Sequence, residues 1–390
     1  MVKKKVCVIG LGYIGLPTAA LLANKGFTVH GVDIKQDIID TINGGNIHIV
    51  EPDLDEYVKE AVNNGNLKAH LEPAEADIFI IAVPTPFHSG YVPNIDYIVD
   101  ATEKIAPLIK KNNIIILEST SPVGTTEKIH SILKSRGIDT SEVFISHCPE
   151  RVLPGNIMKE LVNNDRIVGG INNKSTDETV NFYSQFVKGD ILTTDAKTAE
   201  MAKLTENSFR DVNIAFANEL SILCDNLGMD VSKLIGLANK HPRVNILNPG
   251  PGVGGHCIAV DPWFIIHKDP ENTKLIRAAR ELNNYKTDWV IKKIKKEAEK
   301  LKNFNTKIAC LGLSFKPDID DLRESPALHI VNELKKDGYI IMAVEPNIKN
   351  HPDLDIINLK DAIKSADLVI KLVDHKEFKS LNIKDMLSFS

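Results

Sequence analysis

The stretch Val6-Cys7-Val8-Ile9-Gly10-Leu11-Gly12-Tyr13-Ile14-Gly15 decides the fold of the first part of this chain. Its apolar start predicts a short β-strand, and Pro17 suits the first turn of a helix that follows the last glycine. Between them, Gly10 permits a tight turn, Gly12 lets backbone approach a pyrophosphate, and Gly15 lets the helix pack on the strand. The helix N-terminus would offer unpaired N–H groups to the phosphate. The pattern predicts a dinucleotide site, and the alternative is a glycine turn without a ligand.

Asp33 follows the second predicted strand, Thr28–Val32, and sets the expected cofactor. A carboxylate at this point accepts hydrogen bonds from both ribose hydroxyls and repels a 2′-phosphate. The sequence therefore favours NAD over NADP, while the nearby Lys35 ammonium works against that preference.

Short β-branched runs alternate with helical patterns such as Thr18–Lys25 and Asp96–Lys110 in the first part of the chain. This alternation predicts a parallel sheet with helices on both faces. Two loops at predicted strand ends, Ala82–Pro86 and Glu118–Gly124, would then lie at the edge where open parallel sheets bind ligands. The predicted strands are Val6–Ile9, Thr28–Val32, Ile78–Val83, Ile114–Glu118, Val143–Ser146 and Arg166–Val168.

The strand patterns stop at Thr198 and return only after Lys302. Between these points, helical periodicity places a set of apolar residues on one stripe of a helix: Phe209, Phe216, Leu220, Leu223 and Leu227. Later runs at Lys307–Leu313, Ile340–Val344 and Leu368–Val373 predict a second α/β unit. We therefore expect an α/β fold with two Rossmann-like parallel-sheet domains, residues 1–197 and 303–390, joined by a central all-α domain, residues 198–302.

Composition excludes several classes of protein. A length of 390 residues is too great for one hydrophobic core, and fractions of 43% hydrophobic and 25% charged residues are typical of a soluble globular protein. With 47 Lys and Arg against 52 Asp and Glu, the net charge of −5 provides no basic field for nucleic acid. No apolar run approaches the roughly 20 residues of a membrane span. The basic start Met1–Lys5 leads into a strand rather than a signal peptide, and five cysteines, an odd number, favour reduced thiols in the cytoplasm.

Cys257 ends the stretch Pro249-Gly250-Pro251-Gly252-Val253-Gly254-Gly255-His256-Cys257. A run this rich in glycine is not regular structure, and its backbone can approach a ligand closely. With Asp261 four residues further on, Cys257 is the predicted nucleophile, and Cys148 at a strand end is its rival. The remaining cysteines lie in predicted strands or on a helix, where we expect inert packing: Cys7, Cys224 and Cys310.

Lys203, Asn207 and Arg210 are spaced to share one face of the helix that opens the middle domain. They form either a solvated stripe or part of a site. Combined with NAD and a nucleophilic thiol, they predict a four-electron dehydrogenase. Such an enzyme traps an aldehyde as a thiohemiacetal, oxidises it to a thioester and hydrolyses the thioester to an acid. The lysine and the asparagine would stabilise the developing oxyanion.

The chain resembles the UDP-glucose/GDP-mannose dehydrogenase family over essentially its whole length. The motifs that carry the resemblance occur in the family's order: Gly10–Gly15, Thr85-Pro86, Ser119-Thr120, Pro149-Glu150, Lys203-Leu204-x-x-Asn207, Gly254-Gly255-x-Cys257, Phe315-Lys316-Pro317 and Arg323-Glu324-Ser325. The resemblance implies NAD-dependent oxidation of the C6 hydroxyl of a UDP-sugar to a carboxylate. The residues around Glu150 and Cys257 look like those of members that act on UDP-N-acetyl-D-mannosamine. The alternative substrates are UDP-GlcNAc and UDP-glucose. The alternative functions are a two-electron dehydrogenase of the hydroxyacid or 6-phosphogluconate type and a non-enzymatic NAD-sensing or nucleotide-binding module whose thiol is incidental.

The resemblance also implies roles for the matching residues. The implied catalytic residues are Cys257, Lys203, Asn207, Asp261 and Glu150. Because Pro154 stands where many relatives have a second glutamate, any base role falls to Glu150 or to a water. The implied NAD contacts are Gly10, Gly12, Tyr13, Ile14, Gly15, Asp33, Thr85, Thr120 and Arg323. The implied UDP-sugar contacts are Arg151, Val152, Lys203, Asn207, Arg210, His241, Arg243, Gly254, Phe315 and Lys316. No metal is expected.

In the family, the position of Arg243 reaches into the site of the neighbouring subunit. The resemblance therefore implies a homodimer or higher homo-oligomer built on the helical domain, with no nucleic acid or membrane as partner. His241 has an equally good interpretation as a polar loop residue before Pro242. Relatives usually continue past the position of Ser390, so we expect one basic substrate contact of the family to have no counterpart here.

Overall fold

The computed structural model describes residues 4–255, 257–303, 305–381, 383 and 386–389. The chain forms two compact units, Met1–Leu204 and Thr205–Ser390, and the boundary between them falls inside the longest helix, Ala196–Leu227.

The first unit contains ten strands and the start of that long helix among its described residues. The strands are β1 (Lys5–Ile9), β2 (Thr28–Val32), β3 (Leu67–His70), β4 (Ile78–Ile81), β5 (Phe87–His88), β6 (Val92–Pro93), β7 (Ile114–Leu117), β8 (Phe144–His147), β9 (Arg166–Gly170) and β10 (Ile191–Asp195). The helices are α1 (Gly15–Asn24), α2 (Gln36–Asn43), α3 (Leu54–Asn63), α4 (Asp96–Ile105), α5 (Thr125–Ser135), α6 (Ile157–Asn163), α7 (Asn173–Tyr183) and α8 (Ala196–Leu227), with short 3-10 turns at Ser89–Tyr91 and Ala106–Leu108.

Eight of these strands form one sheet in the order β10-β9-β8-β7-β4-β1-β2-β3. The strand order reverses beside β1, where Val8 pairs with Gly31 of β2 on one side and with Ile80 of β4 on the other. Apolar side chains cover both faces of the sheet, as predicted from the run of strand and helix patterns. Open sheets of this kind bind ligands at such a reversal, at the carboxyl ends of the strands.

The sheet differs from the sequence-based expectation in two respects. The β8–β9 pair is antiparallel, whereas the other pairs in this sheet are parallel. Strands β3 and β10 were not predicted. Both lie at an edge of the sheet and carry exposed residues such as Lys68 and Leu192, which interrupt the apolar pattern of a buried strand.

The second unit contains the rest of α8 and a smaller sheet. Its further elements are α9 (Val231–Ala238), α10 (Asp261–Lys268), α11 (Lys274–Lys300), β11 (Lys307–Leu311), α12 (Pro326–Lys336), β12 (Ile340–Val344), α13 (Leu359–Ser365), β13 (Leu368–Lys371) and β14 (Leu387–Ser388), with a 3-10 turn at Lys376–Phe378. The four strands are parallel, in the order β12-β11-β13-β14, and apolar clusters cover both faces.

The first turn of the smaller sheet repeats the first turn of the larger one. Gly10 and Gly312 both have positive φ angles, of 93° and 91°. The Gly10 N–H donates to Val32 O, and the Gly312 N–H donates to Val344 O, at 2.8 Å in each case. The expected fold class, two Rossmann-like α/β regions with a helical region between them in the chain, is thereby confirmed. The residue bounds of the three predicted domains stay a prediction. No helix in the described part of the chain is long and apolar enough to cross a membrane.

Candidate active site

The glycines after β1 form a cradle that fits a dinucleotide. A Cβ atom at Gly10 would lie 2.5 Å from Ala82 O, and one at Gly15 would lie 1.8 Å from Gly10 O, so both positions require glycine. A Cβ at Gly12 would meet nothing within 4 Å, which leaves the space above its backbone open to a pyrophosphate. Helix α1 begins at Gly15 and directs its N-terminus at this space.

Asp33 turns its carboxylate toward this cradle. Its Oδ2 atom accepts a hydrogen bond from Leu11 N at 3.2 Å, and its Oδ1 atom accepts one from Lys35 N at 3.1 Å. Tyr13 packs against the apolar core beside the turn, and Ile14 immediately precedes α1. Because these residues hold the carboxylate next to the Gly-rich turn, the arrangement suits the ribose of NAD.

The two threonine loops lie side by side at the carboxyl edge of the sheet. Thr85 Oγ1 donates to Thr120 O at 2.7 Å, and Ser119 Oγ donates to Val83 O at 2.7 Å. Gly10 lies close to Ala82, the first residue of the Thr85 loop, so both loops lie next to the glycine cradle. That Thr85 and Thr120 contact NAD is a proposal.

NAD is expected to exceed NADP in kcat/KM by at least about tenfold, or ~1.4 kcal/mol. A 2′-phosphate placed near Asp33 meets a like charge, and such contacts can cost several kcal/mol. Steady-state kinetics with both cofactors measure the ratio of kcat/KM for NAD to kcat/KM for NADP. Asp33→Asn keeps the shape of the side chain but removes its charge, so it should lower this ratio. Equal rates in the unchanged protein would mean that Lys35 overrides Asp33.

Glu150 belongs to a buried polar cluster in the first unit that the sequence did not indicate. Arg166 Nη2 lies 2.8 Å from Glu150 Oε2, and the guanidinium stands over the Tyr183 ring. Tyr183 Oη donates to Glu118 Oε1 at 2.7 Å. Burial raises the pKa of Glu118 to about 7 against the opposing charge of Arg166. The Arg166 guanidinium thus forms its buried ion pair with Glu150.

The rival nucleophile, Cys148, lies inside this cluster. It is fully buried, and burial raises the pKa of its thiol to about 12. Because the thiolate is the nucleophilic form, this environment keeps Cys148 inert. All five cysteines lie among the described residues, none is in a disulfide, and Cys257 alone of the five is not buried.

The other implied substrate contacts of the first unit have mixed environments. Arg151 Nη1 donates to Asp165 O at 3.3 Å, while Val152 packs partly against the apolar core. Lys203 is 9% exposed on α8. Its positive charge adds to the effect of burial, which lowers the pKa of His147 to about 3. His147 is therefore a neutral imidazole at physiological pH.

In the second unit, Cys257 occupies a turn that leads into α10. Its carbonyl oxygen accepts hydrogen bonds from Val260 N at 3.0 Å and from Asp261 N at 2.8 Å. Asp261 is the first residue of α10 and is 3% exposed, and its Oδ2 accepts from Asn207 Nδ2 at 2.5 Å. Asn207 is buried on α8, while Arg210 on the same helix is exposed. The structure thus joins two predicted catalytic residues, Asn207 and Asp261, directly after the turn that contains Cys257.

The glycines before Cys257 are required by close packing. A Cβ at Gly254 would lie 2.4 Å from Glu324 O, and one at Gly255 would lie 2.8 Å from the Phe315 ring. The Gly255 N–H also donates to Arg323 O at 3.2 Å. The thiol loop therefore lies against the segment after β11, which brings Phe315 to the loop.

Four implied ligand contacts lie on the surface of the second unit. Lys316 is exposed, and the guanidinium of Arg323 binds the Asp321 carboxylate, with Nη2 2.6 Å from Oδ2. His241 and Arg243 lie on an exposed loop after α9, where Arg243 N donates to His241 Nδ1 at 3.3 Å. Their contacts with NAD or the sugar remain predictions.

A group of possible metal ligands occurs in the described part of the second unit. The ligand atoms of Asp318, His375 and Glu377 lie within 4.8 Å of one another. However, His375 Nδ1 accepts from Asp318 N at 2.9 Å, and Nε2 lies 3.1 Å from Glu345 Oε2. Because protein groups already use both ring nitrogens, we assign no metal to this group.

The chain matches the sequence models of the UDP-glucose/GDP-mannose dehydrogenase family in three blocks. The NAD binding domain matches residues 4–187, the central domain residues 197–285, and the UDP binding domain residues 309–389. A UDP-N-acetyl-D-mannosamine dehydrogenase of Campylobacter jejuni is 55% identical, covering 99% of this chain and 98% of the relative. An NDP-N-acetyl-D-galactosaminuronic acid dehydrogenase of Ralstonia nicotianae is 51% identical, covering 97% of this chain and 92% of the relative.

A solved structure gives the same result for the fold. The UDP-D-ManNAc dehydrogenase from Pyrococcus horikoshii has a TM-score of 0.91 and 40% identity, covering 98% of this chain and 93% of that chain. The glycine cradle with Asp33 and the matching family blocks define an NAD-dependent dehydrogenase. The chain belongs to the UDP-glucose/GDP-mannose dehydrogenase family, so the resemblance is confirmed.

Proposed function

We propose that this enzyme oxidises the C6 hydroxyl of UDP-N-acetyl-D-mannosamine to the carboxylate of UDP-N-acetyl-D-mannosaminuronate. The observation that carries the proposal is the Cys257 turn, with the buried Asn207–Asp261 pair at its carboxyl end. A simple alcohol dehydrogenase needs no thiol on a glycine loop, whereas an acid-forming one does. The relatives named for UDP-N-acetyl-D-mannosamine support the choice of sugar.

The residues of this chain divide the chemistry between them. When bound, NAD supplies the hydride acceptor for both oxidations. The Cys257 thiolate adds to the C6 aldehyde, and Lys203 and Asn207 stabilise the negative charge that develops on its oxygen. After the thioester has formed, a water attacks its carbonyl carbon and the C–S bond breaks. The sulfur leaves as the Cys257 thiolate, the acid is released, and Glu150 or a second water takes the proton of the attacking water.

Three other substrates and one other reaction remain as alternatives. The relative named for N-acetyl-D-galactosaminuronic acid is nearly as similar to this chain as the relative named for UDP-N-acetyl-D-mannosamine. A nucleotide-linked sugar with a different amino-sugar is therefore an alternative substrate. UDP-GlcNAc and UDP-glucose are the further candidates. A two-electron dehydrogenase of the hydroxyacid type would leave the Cys257 loop without a role.

The yield of NADH per sugar tests the proposal. UDP-N-acetyl-D-mannosamine should give two NADH and one uronate per molecule consumed, and it should exceed UDP-GlcNAc and UDP-glucose in kcat/KM. One NADH per sugar would establish the two-electron reaction. No NADH with any of these sugars, from a protein that binds NAD, would contradict the proposed activity.

The proposal includes a homodimer built on α8, located in the cytoplasm. Most residues of the predicted apolar stripe are exposed on α8, among them Phe209 at 66% and Leu227 at 71%. Contiguous exposed apolar surface of this kind is typical of a protein–protein interface. A second copy of the chain, related by twofold symmetry, would cover the stripe. The reduced thiol that catalysis requires supports the cytoplasm as location.

A further inference from the structure

Residues 245–251, which we name the strap, connect the Arg243 loop to the glycine loop of Cys257 within the second unit. The strap has the sequence Asn245-Ile246-Leu247-Asn248-Pro249-Gly250-Pro251 and contains neither helix nor strand. Backbone groups outside regular structure need other hydrogen-bond partners. In the strap, side chains of the neighbouring helices supply them.

Asparagine side chains bind the first half of the strap. Asn213 of α8 donates from Nδ2 to Asn245 O at 2.9 Å and accepts at Oδ1 from Leu247 N at 3.0 Å. Asn239, just after α9, donates to Ile246 O at 2.9 Å and accepts from Ile246 N at 2.8 Å. Each side-chain amide supplies one donor and one acceptor, as the backbone of a neighbouring strand would. Together they bond backbone groups of three consecutive strap residues.

The second half of the strap is bound by one residue from each of two helices. Asn218 Oδ1 of α8 accepts from Gly250 N at 2.9 Å, and Thr287 Oγ1 of α11 donates to Pro251 O at 3.0 Å. These contacts come directly before the glycines that lead to Cys257.

A buried network fixes the orientation of Asn218. Its Nδ2 donates to Asn283 Oδ1 at 2.9 Å, and Asn283 Nδ2 donates to Asp211 Oδ1 at 2.8 Å. The same Asp211 oxygen accepts from Arg280 Nη1 at 2.7 Å. All four side chains are almost fully buried. Because both ends of the Asn218 amide have specified partners, its acceptor stays directed at Gly250.

From this arrangement we infer that Asn213 and Asn218 are positioning residues with separate tasks. Asn218 places the loop that carries Cys257, and Asn213 places the loop that carries Arg243. The inference rests on the proposed function, in which Cys257 does chemistry and Arg243 binds the sugar nucleotide. A displacement of about 1 Å in a reacting group can lower a rate about a hundredfold, so loss of one loop anchor has a kinetic effect.

The test compares Asn218→Ala with Asn213→Ala by steady-state kinetics. Asn218→Ala should lower kcat at least about tenfold with the KM for the UDP-sugar within about threefold. Asn213→Ala should do the reverse, raising that KM about tenfold with kcat within about threefold. Asn284→Ala is the matched control, because Asn284 accepts from Arg280 Nη2 at 2.8 Å yet makes no strap contact among those described. It should change both constants less than about twofold.

A readout without turnover separates this inference from the proposed function. Among the five cysteines only Cys257 is not buried, so its iodoacetamide alkylation can be followed by mass spectrometry. The rate should change at least about fivefold in Asn218→Ala and less than about twofold in Asn213→Ala. If Asn218→Ala does not fold, Thr287→Val removes the neighbouring anchor and should show the same pattern.

Equal effects of both substitutions on kcat and KM, or effects no larger than those of Asn284→Ala, would overturn the inference. The unchanged protein could oxidise no UDP-sugar while the alkylation rate of Cys257 still changes in Asn218→Ala and not in Asn213→Ala. In that case the proposed function is wrong, but the role of the strap in placing the thiol stands.

Discussion

Replacing Cys257 with serine is expected to abolish acid formation, with a loss in turnover of at least about a thousandfold, or about 4 kcal/mol of activation free energy. A serine hydroxyl is a much weaker nucleophile than a thiolate, and an ester formed on it has a poorer leaving group than a thioester. Release of the uronate, measured by mass spectrometry, is the readout. Tight NAD binding should persist, because the glycine cradle lies in the other unit of the chain.

Cys148→Ser is the matched control for this substitution. Cys148 is buried against Arg166, with the sulfur 3.8 Å from Nη1, and its raised pKa of about 12 keeps it protonated. Turnover should therefore stay close to that of the unchanged protein. Near-normal acid production by Cys257→Ser, with loss of activity in Cys148→Ser, would transfer the nucleophile to Cys148.

Arg243→Ala is expected to raise the KM for the UDP-sugar roughly 30- to 100-fold and to leave NAD binding nearly unchanged. A guanidinium can bind phosphate oxygens through two parallel hydrogen bonds. The expected factor corresponds to about 2–3 kcal/mol, which is within the range for the loss of a hydrogen bond to a charged group. In this chain the Arg243 loop is exposed after α9, so it is available to a second copy. Arg243→Lys should recover only part of the loss, since an ammonium lacks the planar pair of donors.

Mixing inactive subunits shows whether the residue acts across the dimer. Cys257→Ala and Arg243→Ala proteins are each impaired on their own. If Arg243 completes the partner's site, a mixed dimer contains one intact site and one site with both defects, so activity should reappear on mixing. No recovery in a mixture shown to have exchanged subunits would mean that Arg243 serves its own chain.

The cofactor half of the site could be predicted from the sequence because its determinants are local. Gly10 and Gly15 have no room for a side chain where the strand turns into the helix, and Gly12 leaves space for a pyrophosphate. Asp33 is placed by the end of the next strand. The glycine loop of Cys257 was visible for the same reason. Its glycines avoid clashes with Phe315 and Glu324, although the sequence did not name these contacts.

The cluster around Glu118 and the network of Asn218 could not be predicted, since their members come from distant elements. Glu118 follows β7, Arg166 begins β9 and Tyr183 ends α7. These residues are far apart in the sequence and meet only in the folded chain. Asn218 is one of four asparagines on α8, and nothing in the local sequence distinguishes a buried asparagine that anchors a loop from a solvated one.

By itself, therefore, the sequence determined the α/β class, the NAD cradle, the thiol loop and the family, because each depends on residue types a few positions apart whose backbone requirements are strict. Only the tertiary structure decided which polar groups are buried together. In the folded chain, Arg166 pairs with Glu150, and Cys148 is buried as an inert thiol. Asn207 donates to Asp261, and the strap is bound by Asn213 and Asn218. These partnerships depend on burial and on distances between remote elements. Burial strengthens a hydrogen bond and raises the cost of an unpaired charge, and only the folded chain determines which groups are buried.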